Sequence, residues 1–231
     1  MTNLTILTRT ELHRLGAVLF GFGNLGELPA EARRGLPIGI SVAVTYPKKI
    51  IEGISDLPTP AYRDEYNRLN ERLDNIVTQA AEFLQRRGYT AIAQTRAQVG
   101  TGEEEINTVL PHKTVATRAG LGWIGKCALL VTEEYGSMVR LSSVLTDAPL
   151  ETATPVNHSK CGSCDICKTA CPAGAVSGKE WSVTTPRDNF YDPFKCRETA
   201  RERSARGFGG GTTLCGKCIQ VCPYTRRASF G

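Results

Sequence analysis

The residues with the clearest chemical role are cysteines, and most of them lie late in the chain. The sequence holds nine cysteines, eight of them within residues 151–231. They form two runs, Cys161-x2-Cys164-x2-Cys167-x3-Cys171-Pro172 and Cys196 followed by Cys215-x2-Cys218-x3-Cys222-Pro223. Thiols clustered in this way bind structural zinc or iron–sulfur clusters, or form disulfides in an oxidising compartment.

The spacing of the thiols favours two [4Fe-4S] clusters over zinc. The first run matches the pattern of bacterial ferredoxins, in which three cysteines bind one cubane and the fourth binds the other. Applied to both runs, this cross-ligation predicts cluster one with Cys161, Cys164, Cys167 and Cys222, and cluster two with Cys196, Cys215, Cys218 and Cys171. A zinc site made of two CxxC pairs would leave four of these cysteines and both Cys-Pro steps unexplained.

The basic residues are distributed as unevenly as the thiols. The 231-residue chain has a formal net charge of +5. Residues 1–150 hold 16 Lys+Arg and 16 Asp+Glu, whereas residues 151–231 hold 12 and 7 and supply the whole excess. Two clusters with their thiolates carry about −4, so we interpret the excess chiefly as local compensation. The compensating residues include Lys160, Lys168, Lys195, Arg197 and Lys217.

If the basic residues offset the negative charge of the clusters, tRNA or another nucleic acid is disfavoured as a partner. A second group of basic residues is left over. This group would be a docking patch for an acidic redox partner or a phosphate: Arg201, Arg203, Arg206, Arg226 and Arg227. No stretch approaches the roughly 18 apolar residues of a membrane span, and the start lacks the features of a secretory signal. We therefore predict a cytoplasmic protein with no membrane partner, in a compartment where disulfides are rare.

Hydrophobic periodicity predicts alternating helices and strands in the first part of the chain, and therefore an α/β or α+β fold. We expect strands at 38–46, 89–95, 128–131 and 138–145, a long helix over 62–84 and a short helix over 112–119. An opening helix should be capped by Thr8 with Glu11 and end at Gly16. Prolines near residue 150 predict a domain over 1–150 and a loop-rich cysteine module over 151–231.

A second segment with chemical potential is AGLGWIGKC, residues 119–127. Its glycines allow close approach of the backbone to a ligand, its tryptophan offers a flat apolar face, and its lysine a cation. The predicted cofactor-binding residues are Gly120, Gly122, Trp123, Gly125, Lys126 and Cys127. The alternative is a tight turn with a packing tryptophan. For Cys127 we favour a buried small residue, and for His112 a structural role.

The chain resembles epoxyqueuosine reductase, and more distantly the core of corrinoid-dependent reductive dehalogenases. The resemblance rests on AGLGWIGK, the following LLV and EYGS, the strand ending in LTD at 145–147, and the two ferredoxin-like runs. It implies a nitroreductase-like domain over 1–150, with its sheet flanked by helices, followed by a dicluster module over 151–231. It also implies a cobalamin between the two, reduced by the near cluster.

The chain departs from this family in three places. The family's acidic residue before AGLGW is replaced by Ile106, Asn107 and Thr108, and Glu103 to Glu105 are shifted in register. Cys127 stands where the family usually has Asn, His or Ser. The helical-repeat extension that helps to hold tRNA is not expected, which again disfavours tRNA.

The predicted function is an iron–sulfur oxidoreductase that relays single electrons to a second cofactor or substrate held near residues 120–127. Cobalamin is preferred over FMN, the substrate is a small molecule or a cofactor, and a redox partner protein is expected. The alternative is a ferredoxin-like electron donor or activator of a partner enzyme, without turnover of its own. A tRNA-binding reductase is the third and disfavoured hypothesis.

Overall fold

The computed structural model describes residues 2–99 and 106–228, and Glu103 to Glu105 lie outside the described residues. The helices and strands follow in this order: α1 (Asn3–Arg14), β1 (Leu19–Asn24), β2 (Ile38–Thr45), α2 (Lys48–Glu52), α3 (Pro60–Gln85), β3 (Ala91–Gln94), α4 (His112–Arg118), β4 (Trp123–Ile124), β5 (Leu130–Val131), β6 (Val139–Thr146), α5 (Ile166–Thr169), α6 (Pro193–Phe208), α7 (Lys217–Val221) and α8 (Pro223–Arg227). A short 3-10 turn spans Arg187–Asn189. The predicted α/β (α+β) fold class is confirmed.

The chain divides into two compact units, each made of three separate stretches. Unit 1 comprises Met1–Val44, Leu69–Gly122 and Arg140–Val156. Unit 2 comprises Thr45–Arg68, Trp123–Val139 and Asn157–Gly231. The unit that holds both cysteine runs therefore also contains two earlier stretches of chain. The division into domains at residue 150 stays a prediction.

Unit 1 is organised by a four-stranded sheet in the order β1-β2-β6-β3, as far as the described residues go. The pairs β1–β2 and β3–β6 are antiparallel. Helix α4 packs against β1, and a buried apolar cluster lies in this unit. Its members are Leu25, Leu36, Leu110, Val115 and Leu145. This burial of apolar side chains is the main source of stability for the sheet and its helices.

His112 begins α4 and faces polar groups of unit 1. Its Nδ1 lies 2.9 Å from the hydroxyl of Ser143 on β6. Burial, together with the positive charge of Arg140, lowers the pKa of His112 to about 4, and Asp74 on α3 opposes the shift. The imidazole is therefore neutral at pH 7, and the structural role expected for it stays a prediction.

Unit 2 contains a β4–β5 hairpin and the short helices of the cysteine runs, with α7 packed against α2, α5 and α8. Gly136 follows the hairpin with φ +54°, and an ideal Cβ on it would lie 2.2 Å from the backbone nitrogen of Thr225. Next to it, the Ser137 amide donates to the Thr225 hydroxyl over 3.1 Å. Within the described residues, no helix is long and apolar enough to cross a membrane.

The Gly136 contact predicts a large cost for a single methyl group. Gly136→Ala adds a backbone clash to a left-handed φ, so we expect a loss of about 3 kcal/mol or more in the free energy of unfolding. Gly209→Ala is the matched control, because Gly209 has φ +84° but nothing within 4 Å of the added Cβ. The control should lose only about 1 kcal/mol, from the strained φ. Equal losses in anaerobic denaturant unfolding would contradict the close approach at Thr225.

The low pKa of His112 predicts a pH dependence of stability. Because the folded-state pKa lies below the ordinary value of 6.5, the stability is complete above pH 6.5 and is lost as the pH falls towards 4. We expect unfolding free energy to drop by about 2 kcal/mol between pH 7 and pH 5 on account of this group. His112→Gln should remove that part of the dependence in anaerobic unfolding followed by circular dichroism. An unchanged pH profile in this variant would refute the assignment.

Candidate iron–sulfur centre

The first cysteine run forms a tight loop and a single helical turn. The Cys164 amide donates to the Cys161 carbonyl over 3.2 Å, and the Cys171 amide to the Lys168 carbonyl over 3.3 Å. The thiols of Cys164 and Cys167 thus flank the start of α5, while Cys171 follows its end. The Gly162 amide donates to Glu180 over 2.7 Å, which fixes the loop between the first two thiols.

The second run extends from the first turn of α6 to the residue before α8. Cys196 lies in the first turn of α6, which is capped by Asp192, whose carboxylate accepts from the amides of Phe194 and Lys195. Cys218 lies at the start of α7, and Cys222 occupies the extended step between α7 and α8. Proline at the first position of α8 has no amide to donate and suits that turn of the chain.

The eight run cysteines are free thiols that are partly buried, whereas Cys127 is free and fully buried. Cys196 lies near Cys215 and Cys171, which belong to the same predicted ligand set. Cys222 lies near Cys161, which belongs with it to the predicted ligand set of cluster one. The structure thus brings together members of each set from both runs, as cross-ligation requires. The full assignment of ligands stays a prediction.

The thiol surroundings suit metal clusters more than free redox cysteines. Burial raises the pKa of the Cys196 and Cys222 thiols, and a hydrogen bond with Cys127, together with burial, raises the pKa of Cys167. Cluster binding must therefore release these protons, which makes assembly favourable as pH rises. In the described part of the chain, no three or more ligand side chains converge on one metal ion, but a cubane takes one thiolate at each iron.

The central segment contributes buried side chains to unit 2. Trp123 is 1% exposed and meets Tyr224 edge-to-face with ring centroids 4.9 Å apart. The Lys160 ammonium lies 5.4 Å from the centre of the Trp123 ring. Among the described residues, the indole N–H of Trp123 has no hydrogen-bond partner.

Lys126 places a buried cation beside the first run. It is 4% exposed, and its ammonium donates to the Asp165 carboxylate over 2.9 Å. Burial opposes the charge, but the hydrogen bond and negative charge of Asp165 outweigh it, and the pKa of Lys126 is raised. Cys161 also lies close enough to favour the cation. The side chain is therefore a fixed positive charge next to a predicted ligand of cluster one.

The glycines of the central segment fall in different units. Gly120 and Gly122 belong to unit 1, and Gly120 has φ +74° at an exposed turn. Gly125 belongs to unit 2, where an added Cβ would lie 2.8 Å from Val131 and 3.7 Å from the Cys161 sulfur. The segment thus approaches a predicted ligand of cluster one through a residue without a side chain. Its role in binding a second cofactor stays a prediction.

Three polar partners of these residues were hard to predict from the sequence. Asp165, inside the first run, pairs with Lys126; Thr225 hydrogen-bonds to Cys222; and the Tyr191 phenol hydrogen-bonds to Cys196. Burial raises the pKa of Tyr191, so the phenol remains a neutral donor. Only Asp165 carried a local signal, because it is the acidic residue between two ligand-spaced cysteines.

Comparison with known proteins first defines the class of this site. Residues 160–225 match the family model of a 4Fe-4S double cluster binding domain. The match covers every cysteine of both runs. It confirms the prediction of two [4Fe-4S] clusters and places the chain among iron–sulfur proteins of the electron-transfer type.

The comparisons also confirm the predicted resemblance. The chain is 33% identical over 202 residues to epoxyqueuosine reductase of Listeria monocytogenes, an oxidoreductase, covering 83% of this chain and 49% of the relative. It thus spans about half the length of that relative. A solved epoxyqueuosine reductase with an epoxyqueuosine-modified tRNA-Tyr stem loop has a TM-score of 0.63 at 22% identity, covering 99% of this chain and 67% of that one.

A reductive dehalogenase shares the fold as well. A solved structure described as suggesting a mechanism for B12-dependent dehalogenation has a TM-score of 0.69 at 18% identity. It covers 95% of this chain and 31% of that one. Both kinds of enzyme therefore contain the fold of this chain within a longer protein.

The prediction that tRNA is a disfavoured partner is wrong. It is overturned by the epoxyqueuosine reductase relatives and by the similar structure that contains a tRNA stem loop. The charge argument behind it failed because several compensating lysines already lie beside carboxylates. These pairs are Lys160–Glu133 at 2.6 Å, Lys168–Asp165 at 4.0 Å and Lys195–Asp192 at 3.6 Å. The charge of these lysines is offset by carboxylates of the chain itself, so it is not evidence that the lysines compensate the charge of the clusters.

The Lys126–Asp165 pair predicts opposite changes in the reduction potential of cluster one. Lys126→Met removes a cation beside Cys161, so the ratio of reduced to oxidised cluster one at a fixed potential should fall by about tenfold. Asp165→Asn leaves the cation without its counter-charge and should raise that ratio. Redox titration followed by electron paramagnetic resonance measures both. Shifts of the same sign in the two variants would refute the electrostatic role of the pair.

Proposed function

We propose that this chain is an iron–sulfur oxidoreductase with epoxyqueuosine reductase activity, which acts on a tRNA. The observation that carries the proposal is the arrangement of eight thiols from two runs in unit 2, matched over 160–225 by a double cluster domain. The relatives that are similar over 83% of the chain supply the activity. Removal of an epoxide oxygen as water takes two electrons and two protons, which suits two one-electron centres.

The proposed ligands are the two cross-run sets predicted from the spacing. Cluster one would be held by Cys161, Cys164, Cys167 and Cys222, and cluster two by Cys196, Cys215, Cys218 and Cys171. The proximity of Cys222 to Cys161, and of Cys196 to Cys171, supports this assignment. When bound, [4Fe-4S] clusters supply one-electron transfer. The Tyr191 phenol and the Lys126 ammonium then provide a hydrogen bond and a positive charge close to ligand sulfurs.

A second cofactor near Gly120–Cys127 belongs to the same proposal, with cobalamin preferred over FMN. Similarity to the structure associated with B12-dependent dehalogenation supports cobalamin. A corrinoid would supply a reducing cobalt for cleavage of the carbon–oxygen bond. The side chains of Trp123, Lys126 and Cys127 already have partners inside unit 2, whereas Gly120 is exposed, so its backbone is the part of the segment offered for contact.

The exposed arginines of unit 2 are the proposed contacts for nucleic-acid phosphates. Arg201 and Arg206 on α6 and Arg226 and Arg227 on α8 are exposed. Guanidinium groups bind phosphates in a bidentate manner, and such contacts weaken with added salt. A redox partner protein must supply the single electrons, and a cytoplasmic location stays part of the prediction.

The decisive experiment combines metal analysis with turnover. Anaerobically reconstituted protein should contain about eight iron atoms per chain. With a chemical reductant and added cobalamin, it should convert epoxyqueuosine-containing tRNA to the deoxygenated nucleoside, measured by mass spectrometry of the digested tRNA. Omission of cobalamin, or its replacement with FMN, decides the second cofactor.

Two outcomes would count against the proposal. Protein with a full iron load that never converts the tRNA, yet reduces a partner enzyme, would establish the ferredoxin-like alternative. Iron well below eight per chain would refute the ligand assignment. Cys215→Ser is the control, since loss of a predicted ligand should remove iron and activity together.

A further inference from the structure

Helix α8 carries an exposed arginine that lies over an aromatic ring of unit 2. The guanidinium carbon of Arg227 is 4.3 Å from the centre of the Tyr224 ring. Within the part of the chain that the structure describes, the Arg227 guanidinium makes no hydrogen bond and no ion pair. Unit 2 thus presents a flat cation supported by a ring, with its N–H donors available to a ligand.

The Tyr224 ring is held in place by two further contacts. It meets the buried Trp123 edge-to-face, with the ring centroids 4.9 Å apart. The Tyr224 hydroxyl donates to the Lys160 carbonyl over 3.4 Å. Because these contacts fix the ring, Arg227 lies on a rigid support.

The backbone of α8 is fixed at both ends. The Ser137 amide donates to the Thr225 hydroxyl over 3.1 Å. At the end of the helix, the Lys48 ammonium donates to the carbonyls of Arg226 and Ala228, each over 3.2 Å. A surface that is ordered in advance loses little conformational freedom when it binds, which favours affinity.

The charge around Arg227 is positive. The neighbouring Arg226 is exposed as well. Glu133 also lies nearby, and its carboxylate accepts from the Lys160 ammonium over 2.6 Å. This hydrogen bond, with a smaller contribution from the charge of Arg227, lowers the pKa of Glu133. Since Lys160 offsets Glu133, the two arginines leave the surface positive, which suits a polyanion.

The combination of stack and charge indicates the chemistry of the partner. Proteins that recognise single-stranded RNA stack unpaired bases on aromatic rings and on the planes of arginine guanidinium groups. An acidic protein partner would use the charge of an arginine, for which a lysine would serve as well, but it would not need the planar stack. The geometry therefore favours RNA over an acidic protein.

We propose that the Arg227–Tyr224 stack is a binding platform for an unpaired base in a loop of the tRNA substrate. The inference rests on the proposed function and deepens it, because a phosphate contact alone does not distinguish a loop from a paired stem. Arg227 thereby gains a role in selecting the loop, whereas Arg226, for which no ring contact is described, keeps the role of a phosphate contact.

The test compares the binding of two RNAs to anaerobically reconstituted protein at one salt concentration. One RNA is a hairpin with 2-aminopurine in its unpaired loop, and the other is a fully paired duplex of the same length. Arg227→Lys keeps the charge but loses the planar group, so affinity for the hairpin should fall by about tenfold and affinity for the duplex much less. Stacking quenches 2-aminopurine fluorescence, and this quenching at saturation should weaken. Tyr224→Leu should give the same selective loss.

Arg63→Lys is the matched control. Arg63 also lies over an aromatic ring of unit 2, at 5.3 Å from the centre of the Phe208 ring. Its guanidinium is already paired with the Asp64 carboxylate over 2.8 Å, so it is not offered to a base. This substitution should leave both affinities unchanged.

Three results would overturn the platform. Equal losses for the two RNAs in Arg227→Lys would make the arginine a phosphate contact only, and unchanged affinity for the hairpin would remove it from RNA binding. Slower reduction of the clusters by reduced ferredoxin, with RNA binding intact, would make this a surface for a protein partner.

The platform and the proposed function can fail separately. Conversion of epoxyqueuosine-containing tRNA by wild-type protein, without a selective loss in Arg227→Lys, would refute the platform alone. A selective loss in a protein that never converts the tRNA would refute the proposed function and leave the platform standing. Wild-type protein that binds neither RNA would overturn both.

Discussion

The meeting of two cysteine runs is the constraint on which unit 2 depends. The second run begins inside α6, and neither predicted ligand set is complete without a member of the other run. Short helices satisfy this requirement, because α7 packs on α5 and brings Cys218 towards the first run. Close approaches elsewhere support the same geometry: Gly216 lies against Tyr62, and Gly207 against the Pro58 carbonyl. Unit 2 therefore uses residues 45–68 as a platform for α6 and α7.

Local signals predicted the secondary structure well at α3 and at β2, although β2 is buried on both faces. The periodicity over 62–84 corresponds to α3, and the alternating strand at 38–46 to β2. The opening helix shows the limit of such signals. Its expected cap, Thr8, instead donates to the Leu4 carbonyl inside α1, while Thr2 caps the helix through the Thr5 amide. Thr8 lies inside the helix and is buried, so its spacing to Glu11 does not mark the start of α1.

The candidate site also combines features that local spacing predicts with contacts that it does not predict. Thiol spacing is a local property of the sequence, and it was sufficient to predict a double cluster domain that the family model confirms. The partners of Lys126 and Cys127 lie some forty or more residues away, so no spacing rule could supply them. The misjudged tRNA partner has a related cause. A net charge counts residues but not their neighbours, and Glu133, Asp165 and Asp192 were already beside the lysines.

The position of Cys222 in the assignment has a consequence for how the protein is made. If cluster one takes three thiols from the first run and its fourth from Cys222, the site stays incomplete on the ribosome until that residue has been synthesised. Cys171 must likewise wait for Cys196, Cys215 and Cys218. Metallation of the first run would then wait for synthesis of the second run, and until then the nascent chain would carry the thiols of the first run unprotected. Such a chain depends on a reducing compartment, or on prompt delivery of clusters, before oxidation can join the waiting sulfurs.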